Sequence, residues 1–162
     1  MRIATKSSKL NISKLENTKK IADIFAKNIS KGDVILFNGE IGVGKTTFIK
    51  FLVNSLEKID KKNISEITSP TFSLMNQYKL NKFDIHHYDL YRLKSEKDIL
   101  SLNIFEDISD KIVLIEWPEI LGEHKPRNAI DINFQYGENF NSRYLTISAY
   151  KKLKIFDEFK SL

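Results

Sequence analysis

Residues 13–30 and residues 45–57 each carry apolar positions at spacings close to the period of an amphipathic helix. These positions are Leu15, Ile21, Ile24, Phe25 and Ile29 in the first stretch, and Phe48, Ile49, Leu52, Val53 and Leu56 in the second. We expect both stretches to form helices with one apolar face. A shorter helix is expected at residues 95–102, and an amphipathic helix in the tail KKLKIFDEFKSL, residues 151–162.

Short apolar or alternating stretches between these helices predict strands. Val34–Phe37 is an apolar run that follows the turn pair Gly32-Asp33, and we expect it to be a buried strand. Further strands are expected at residues 72–79, 84–91, 112–117, 130–135 and 144–149, of which the first two should form an antiparallel pair. The mixture of strands and helices predicts an α/β fold with three α/β/α layers and a mixed, mostly parallel central sheet.

The composition is that of an ordinary globular domain, with 41% hydrophobic and 29% charged residues. The longest apolar runs are only Val34–Phe37 and Ile112–Ile115, which are far too short to span a membrane. The first residues, MRIATKSSKL, lack the apolar stretch of a signal peptide. The chain has no cysteine, which excludes disulfides and thiolate metal sites. We therefore expect a cytoplasmic protein.

The strongest chemical signal is the stretch GEIGVGKTTF, residues 39–48. It satisfies the pattern G-x-x-x-x-G-K-[ST], with a predicted strand before it and a predicted helix after it. Its glycines allow backbone N–H groups to point at phosphate oxygens, next to the positive end of the helix. Lys45 would reach the β- and γ-phosphates, and the Thr46 hydroxyl would bind Mg²⁺. The expected nucleotide-binding residues of the loop are Gly42, Val43, Gly44, Lys45, Thr46 and Thr47.

The identity of the base is less direct, because NKFD at residues 81–84 matches the guanine-recognition pattern N-K-x-D. That pattern normally follows a D-x-x-G switch, and no aspartate of this chain has a glycine three residues later. We expect Asn81 and Lys82 to form a polar turn between two strands instead. The sequence therefore predicts ATP rather than GTP, bound by a single P-loop ATPase domain that spans residues 1–162.

Two further residues are candidates for the chemistry of the phosphates. Glu116 ends the apolar strand in KIVLIEWPE, at the edge where open α/β sheets bind ligands, and would hold Mg²⁺ directly or through water. A solvated strand end is the alternative for this carboxylate. Thr71, in SPTF, would present its hydroxyl to the γ-phosphate, although an ordinary turn fits the same residues.

Four segments in this order, GEIGVGKTTF, SPTFSLMNQY, HYDLYRL and IEWPE, resemble the bacterial TsaE (YjeE) family from residue 18 to residue 149. Members of that family are P-loop ATPases required for making threonylcarbamoyladenosine next to the anticodon of tRNAs that read ANN codons. The segment DILSLNIFEDI also resembles the family, with Asn103 where glycine is usual. His86 stands where the family more often has an aromatic residue.

The resemblance implies roles for particular residues and for partners. Glu116 corresponds to a second magnesium-associated carboxylate, and Asp89 to an acidic residue needed for ATP turnover. Trp117 and Arg143 would lie beside the nucleotide. The family acts with a complex of TsaB and TsaD, in which TsaD transfers the threonylcarbamoyl group, so tRNA would be reached through that complex. This chain would supply the ATP hydrolysis that permits repeated turnover.

The stretch DIHHYDLYRL, residues 84–93, places two adjacent histidines close to Asp89. Side chains alternate across a strand, so His87, Asp89 and Tyr91 should share one face while His86 lies on the other. Both histidines cannot then bind one metal ion, and zinc takes three or four protein ligands. We expect a catalytic strand in which Asp89 positions water or supports magnesium. His87 is either its neighbour in the site or a core histidine.

Two other functions share some of these features. A small-molecule kinase would use the same P-loop, but it usually brings clustered arginines over the transferred phosphoryl group. This chain has only Arg2, Arg92, Arg127 and Arg143. A nucleotide-gated RNA-binding module is suggested by the net charge of +5, from 26 basic and 21 acidic side chains. The lysine clusters at residues 58–62 and 151–154 are short and lack aromatic residues that would stack on bases.

Overall fold

Eight strands and four helices make up the part of the chain that the computed structural model describes, residues 5–150 and 155–161. The helices are α1 (Leu15–Ala26), α2 (Lys45–Ile59), α3 (Glu96–Ser101) and α4 (Ile155–Glu158). The strands are β1 (Thr5–Lys6), β2 (Leu10–Asn11), β3 (Val34–Asn38), β4 (Met75–Lys79), β5 (Asp84–Asp89), β6 (Lys111–Glu116), β7 (Ile130–Tyr136) and β8 (Arg143–Ala149). Short 3₁₀ turns cover Ile108–Asp110, Pro118–His124 and Phe159–Ser161.

The strands form one sheet in the order β1-β8-β7-β3-β6-β5-β4, and β2 also pairs with β8. The four central strands β7, β3, β6 and β5 are parallel, whereas both edges of the sheet are antiparallel. This arrangement confirms the predicted mixed sheet and the antiparallel pair of β4 and β5. The strand that leads into the glycine-rich loop, β3, lies in the middle of the parallel part.

Apolar side chains cover both faces of the sheet and create the predicted three layers. On one face α1 and α2 pack together through the rings of Phe25 and Phe48, whose centroids lie 6.1 Å apart, and Phe48 also contacts Phe37 of β3. The other face is covered by α3 and the turn Pro118–His124, which contribute Ile99 and Leu121. Each fully buried side chain of this size contributes about 1.5–3 kcal/mol. The central strands are thus held from both sides.

Two predicted strands have a boundary where the backbone enters the left-handed region. β4 begins at Met75 because Leu74 has a φ of 67°, so residues 72–74 belong to a turn. β6 ends at Glu116 because Trp117 has a φ of 58°. β5 ends at Asp89, so Tyr91 does not continue the strand. Asn103 has a φ of 47°, a conformation open to glycine and asparagine, which explains why asparagine fits there.

The two ends of the chain differ most from the predicted pattern. β1 and β2 pair only two residues each with β8, which is too short to leave a periodic signal. The predicted tail helix is present as α4 and the turn that follows it, while residues 151–154 and residue 162 of that prediction lie outside the described residues. Among the described helices, none combines the length and the apolar character needed to cross a membrane.

Candidate functional site

The carboxyl ends of three parallel strands meet at one edge of the sheet. Phe37 of β3 and Asp89 of β5 both pair in register with Glu116 of β6. A cleft of about 320 Å³ opens at this edge, between the loop after β3 and the segment that precedes β4. This is the position at which open α/β sheets bind their ligands.

The loop from β3 to α2 forms one wall of the cleft. Its glycines Gly39, Gly42 and Gly44 have φ values of 143°, 73° and 116°. A Cβ atom on Gly39 would lie 2.8 Å from the carbonyl oxygen of Phe134, so glycine is required there. No side chain caps the start of α2. The first backbone N–H groups of this helix are therefore available to an anion in the cleft.

The predicted loop residues occupy two different environments. Four of them line the cleft together with Lys45, and they are Gly42, Gly44, Thr46 and Thr47. The side chain of Val43 instead points into the core and is fully buried. Only the backbone of Val43 can meet a ligand, and its side chain anchors the loop.

The Lys45 ammonium is held inside the cleft by its own loop. Nζ donates to the carbonyl oxygens of Gly39 at 2.6 Å and Glu40 at 2.9 Å. It also lies 3.8 Å from the centroid of the Trp117 ring, a cation–π contact. Burial lowers the pKa of Lys45 from its ordinary value, against the opposing effect of the nearby carboxylates, chiefly Glu116.

Thr46 and Glu116 form a pair on the floor of the cleft. The Thr46 hydroxyl lies 2.9 Å and 3.1 Å from the two carboxylate oxygens of Glu116. The exposed fraction of Glu116 is only 2%, so the solvated strand end considered above does not describe this carboxylate. One of its oxygens also contacts Nε2 of His87 at 2.8 Å.

A second cluster faces this pair and contains Asp89. One Asp89 oxygen accepts hydrogen bonds from the hydroxyls of Ser69 at 2.6 Å and Thr71 at 2.9 Å, and the other accepts from the backbone N–H of Tyr91 at 3.0 Å. These donors fix the carboxylate, although its exposed fraction is only 3%. Thr71 is thus joined to Asp89 in the wall of the cleft, which an isolated turn would not require.

Two aromatic side chains close the cleft next to Lys45. The rings of Tyr91 and Trp117 lie 4.8 Å apart between centroids. Trp117 holds its ring there from a left-handed backbone conformation, which is costly for a residue of this size and is typical of functional positions.

Arg143 lies apart from the cleft. It borders a small separate pocket on the other side of Gly44 and Thr47, whose lining also includes Ser13 and Leu15. Its guanidinium lies 5.7 Å from the centroid of the Tyr136 ring. The structure therefore does not bring Arg143 together with the residues around Lys45, but the two pockets share Gly44 and Thr47.

The two histidines lie on opposite faces of β5, as the alternation predicts. His87 contacts Glu116, whereas the ring of His86 lies 6.3 Å from that of Tyr88 between centroids. Within residues 5–150 and 155–161, no three His, Cys, Asp or Glu side chains are grouped as a metal cage would require.

Asn81 and Lys82 lie in the turn between β4 and β5, as expected. The backbone N–H of Asn81 donates to the Asp60 carboxylate at 2.5 Å, and the Asn81 side-chain amide donates to the Asp60 carbonyl oxygen at 3.0 Å. The Asp84 carboxylate accepts from the side-chain amide of Gln77 at 2.7 Å. Asp84 begins β5 while Asp89 ends it, so this turn lies at the opposite end of the strand from the cleft.

The sequence model of the family described as "Threonylcarbamoyl adenosine biosynthesis protein TsaE" matches residues 12–145. The chain belongs to the TsaE family. Its matched segment begins just before α1 and ends in β8, and so includes every residue of the cleft. The family acts in the biosynthesis of threonylcarbamoyladenosine in tRNA.

Several relatives carry the name "tRNA threonylcarbamoyladenosine biosynthesis protein TsaE". The protein from Rickettsia prowazekii (strain Madrid E) is 37% identical over 142 residues, which cover 88% of this chain and 94% of that protein. The protein from Bacillus subtilis (strain 168) is 32% identical over 118 residues, covering 72% and 70%. The crystal structure of Bacillus subtilis YdiB superposes with a TM-score of 0.73 at 23% identity, covering 99% of this chain and 97% of that one. This last similarity confirms the α/β fold of the chain.

Three residues of the cleft were missed by sequence reasoning. Ile41 and Tyr91 line it, and Ser69 donates to Asp89. Ser69 lies two residues before Thr71 in the same motif, which was a usable signal. Tyr91 was placed on the face of a strand that ends before it, and nothing in the local pattern indicated Ile41.

Proposed function

We propose that this chain binds ATP and Mg²⁺ in the cleft and hydrolyses ATP in support of threonylcarbamoyladenosine formation in tRNA. One observation carries the proposal. The P-loop Lys45 and Thr46 face a buried carboxylate, Glu116, and a second, firmly held carboxylate, Asp89, across one cleft. A site that only bound phosphate would have no use for the second carboxylate.

The oxygen atoms at the floor of the cleft suit magnesium. Mg²⁺ prefers oxygen ligands and is usually held by one or two protein groups together with substrate phosphates. The Thr46 hydroxyl and the Glu116 carboxylate, 2.9 Å apart, provide such a pair. When bound, the ion would neutralise charge on the phosphate oxygens. Thr46 would ligate it directly, and Glu116 would do so directly or through water.

Lys45 would bind the phosphates, and Asp89 would position the attacking water. Lys45 would exchange the carbonyl oxygens of Gly39 and Glu40 for the more strongly accepting β- and γ-phosphates. Asp89, whose carboxylate is held in position by Ser69 and Thr71, would accept a hydrogen bond from the attacking water.

The pocket at Arg143, of about 70 Å³, is too small to enclose a nucleoside, but it indicates the direction in which one would extend from the P-loop. Lys45 and Thr46 would hold the outer phosphates, and Thr47 lies between the cleft and this pocket. A nucleotide that passes over Thr47 would bring its base toward Leu15 and Arg143. This placement would reconcile the predicted role of Arg143 with its distance from the cleft.

We further propose that the chain acts with TsaB and TsaD, as the family resemblance implies, and that tRNA is reached through them. The experiment is a reconstitution with TsaB, TsaD, tRNA, ATP and the threonylcarbamoyl donor, in which modified tRNA is counted per complex. Several modifications per complex are expected with this chain and about one without it. Equal counts with and without the chain would refute the turnover role. A matched reaction with Lys45→Ala should behave like the reaction without the chain.

A further inference from the structure

The imidazole of His87 is completely buried and contacts the candidate magnesium ligand. Nε2 of His87 lies 2.8 Å from Oε1 of Glu116, and the exposed fractions of the two side chains are 0% and 2%. A hydrogen bond to a carboxylate at this distance, away from solvent, is among the stronger ones in proteins. None of the roles derived above accounts for it.

The second ring nitrogen decides which tautomer of His87 is present. Nδ1 is buried and has no hydrogen-bond partner among the described residues. A proton on Nδ1 would leave a buried N–H without an acceptor and would turn the lone pair of Nε2 toward the carboxylate, and both effects are unfavourable. The proton therefore lies on Nε2, and His87 donates to Glu116.

The register of two strands places this donor. β5 and β6 are parallel, and His87 pairs with Leu114, two residues before Glu116. Side chains two residues apart on neighbouring strands share a face and remain within reach of a long side chain. Ile85 and Leu114 belong to the core on this face of the sheet. His87 thus approaches the carboxylate from the core, while Thr46 approaches it from the cleft.

We propose that His87 positions Glu116 for magnesium, an inference that rests on the proposed function of the cleft. The Nε2–H group occupies one lone pair of Oε1 and opposes rotation of the carboxylate. The remaining lone pairs are then aimed at Thr46 and the cleft, which lowers the cost of ordering the ligand when the ion binds. His87 acts through Glu116 and is a positioning residue.

The test measures binding of a non-hydrolysable ATP analogue by calorimetry, over a series of Mg²⁺ concentrations and in EDTA. His87→Leu removes the donor. His87→Gln places an N–H group near the position of Nε2, whereas His87→Asn places one near Nδ1, too far from Glu116. His86→Leu, on the opposite face of the same strand, is the matched control.

In His87→Leu and His87→Asn, the Mg²⁺ concentration that gives half of the maximal increase in analogue binding should rise by about 10- to 100-fold. This is the usual effect of removing a residue that hydrogen-bonds to a metal ligand. His87→Gln should recover most of this loss, and His86→Leu should match the wild type. Binding in EDTA should be unchanged in all variants that fold, because the histidine acts only through the metal ligand.

Other outcomes overturn the assignment. Equal losses with Mg²⁺ and in EDTA, or equal behaviour of the Gln and Asn variants, would give His87 a packing role. Failure of all three His87 variants to fold would also give His87 a packing role. If only His87→Leu fails to fold, the comparison of His87→Gln with His87→Asn still tests whether Nε2–H positions Glu116. Wild-type binding that is indifferent to Mg²⁺ would refute the proposed function itself, whereas Mg²⁺-dependent binding that no variant changes would refute only the role of His87.

Discussion

Lys45 is held by two neutral carbonyl oxygens and by the face of Trp117. Neutral acceptors hold an ammonium group less strongly than phosphate oxygens do, so an incoming nucleotide can displace them. The Asp89 carboxylate is instead fixed by three donors on its own chain. At the scale of residues, the cleft thus combines one cation that is free to change partners with an anion that is not.

Lys45→Ala should abolish ATP hydrolysis and leave the fold intact. The variant lacks the ammonium group that would stabilise negative charge on the phosphates. Removing an electrostatic group of this kind lowers the rate by at least about 10²-fold. Hydrolysis is measured at saturating ATP and Mg²⁺, and folding by circular dichroism and thermal unfolding. Lys50→Ala, an exposed lysine on the same helix, should retain activity. Normal hydrolysis by a folded Lys45→Ala chain would remove the assignment of the P-loop.

Asp89→Asn should lower turnover by about a hundredfold, as for positioned acid–base groups, while ATP still binds. The substitution keeps the size of the side chain and removes the charge that Ser69 and Thr71 now surround. His86→Phe, on the other face of β5, should leave turnover near that of the wild type. Both are assayed under saturating ATP and Mg²⁺. A loss in His86→Phe as severe as in Asp89→Asn, together with an effect of added zinc, would return the metal interpretation of the two histidines.

His86 should also make stability depend on pH. Burial, with a smaller contribution from the Lys111 ammonium, lowers the pKa of His86 below its ordinary value of 6.5, and Asp84 opposes this shift. Above pH 6.5, His86 is neutral in the folded and the unfolded chain and does not affect the free energy of unfolding. As the pH falls below 6.5, the unfolded chain takes up the proton first, so the folded state loses stability toward acid pH.

The expected result is a steeper fall of the unfolding midpoint in the wild type than in His86→Phe between about pH 7.5 and pH 5.5. The two proteins should run parallel above this range, which serves as the internal control. Parallel behaviour throughout the acid range would show that His86 is protonated equally easily in the folded and unfolded chain.

Several site residues were predictable because their signals are local. The P-loop glycines, Lys45 and Thr46 lie within one motif, and Glu116 could be placed from the end of an apolar run. The contact of His87 with Glu116 could not be predicted, because it depends on which residue of β6 stands opposite His87. That register results from packing of the whole sheet and leaves no pattern in either strand.

At the scale of elements, strong apolar periodicity predicted α1, α2 and all six longer strands. The errors concern their ends, where left-handed residues such as Leu74 and Trp117 stop a strand that the apolar pattern would continue. A single backbone conformation of this kind has no reliable signature outside glycine and asparagine. β1 and β2 were missed because their pairing with β8 involves two residues each.

The turn between β4 and β5 carries a prediction about nucleotide choice. ATP should bind better than GTP, and Asp84→Ala should leave that preference unchanged, because five residue steps of about 3.3 Å separate Asp84 from Asp89 at the cleft. Competition titrations of the two nucleotides against wild type and variant measure it. Preferred binding of GTP, reversed by Asp84→Ala, would contradict both the position of the turn and the choice of ATP.

At the scale of the whole molecule, two buried carboxylates line the cleft, Asp89 and Glu116, but its described lining residues include no arginine. Arg92 lies over the ring of Phe72, 5.3 Å from its centroid, and Arg143 borders the separate pocket. P-loop GTPases reach full rate with an arginine over the transferred phosphoryl group, which comes from the same chain or from a partner.

The isolated chain should therefore hydrolyse ATP slowly and gain rate when TsaB and TsaD are added. Steady-state phosphate release is measured with the chain alone, with each partner and with both, and Lys45→Ala gives the background. A purified chain that works at full rate and ignores both partners would count against this expectation.

The central position of β3 also affects how the chain folds. Val34 and Ile35 pair with Val113 and Ile130, so the strand before the P-loop finds its neighbours only late in the sequence. Non-local pairing of this kind slows folding, because a long loop must close before the hydrogen bonds between these strands can form. During synthesis α1 and α2 can associate early, but β3 can pair with its neighbours only after β6 and β7 have emerged from the ribosome. The nucleotide proposed for the cleft could therefore stabilise this protein only after nearly the entire polypeptide has been made.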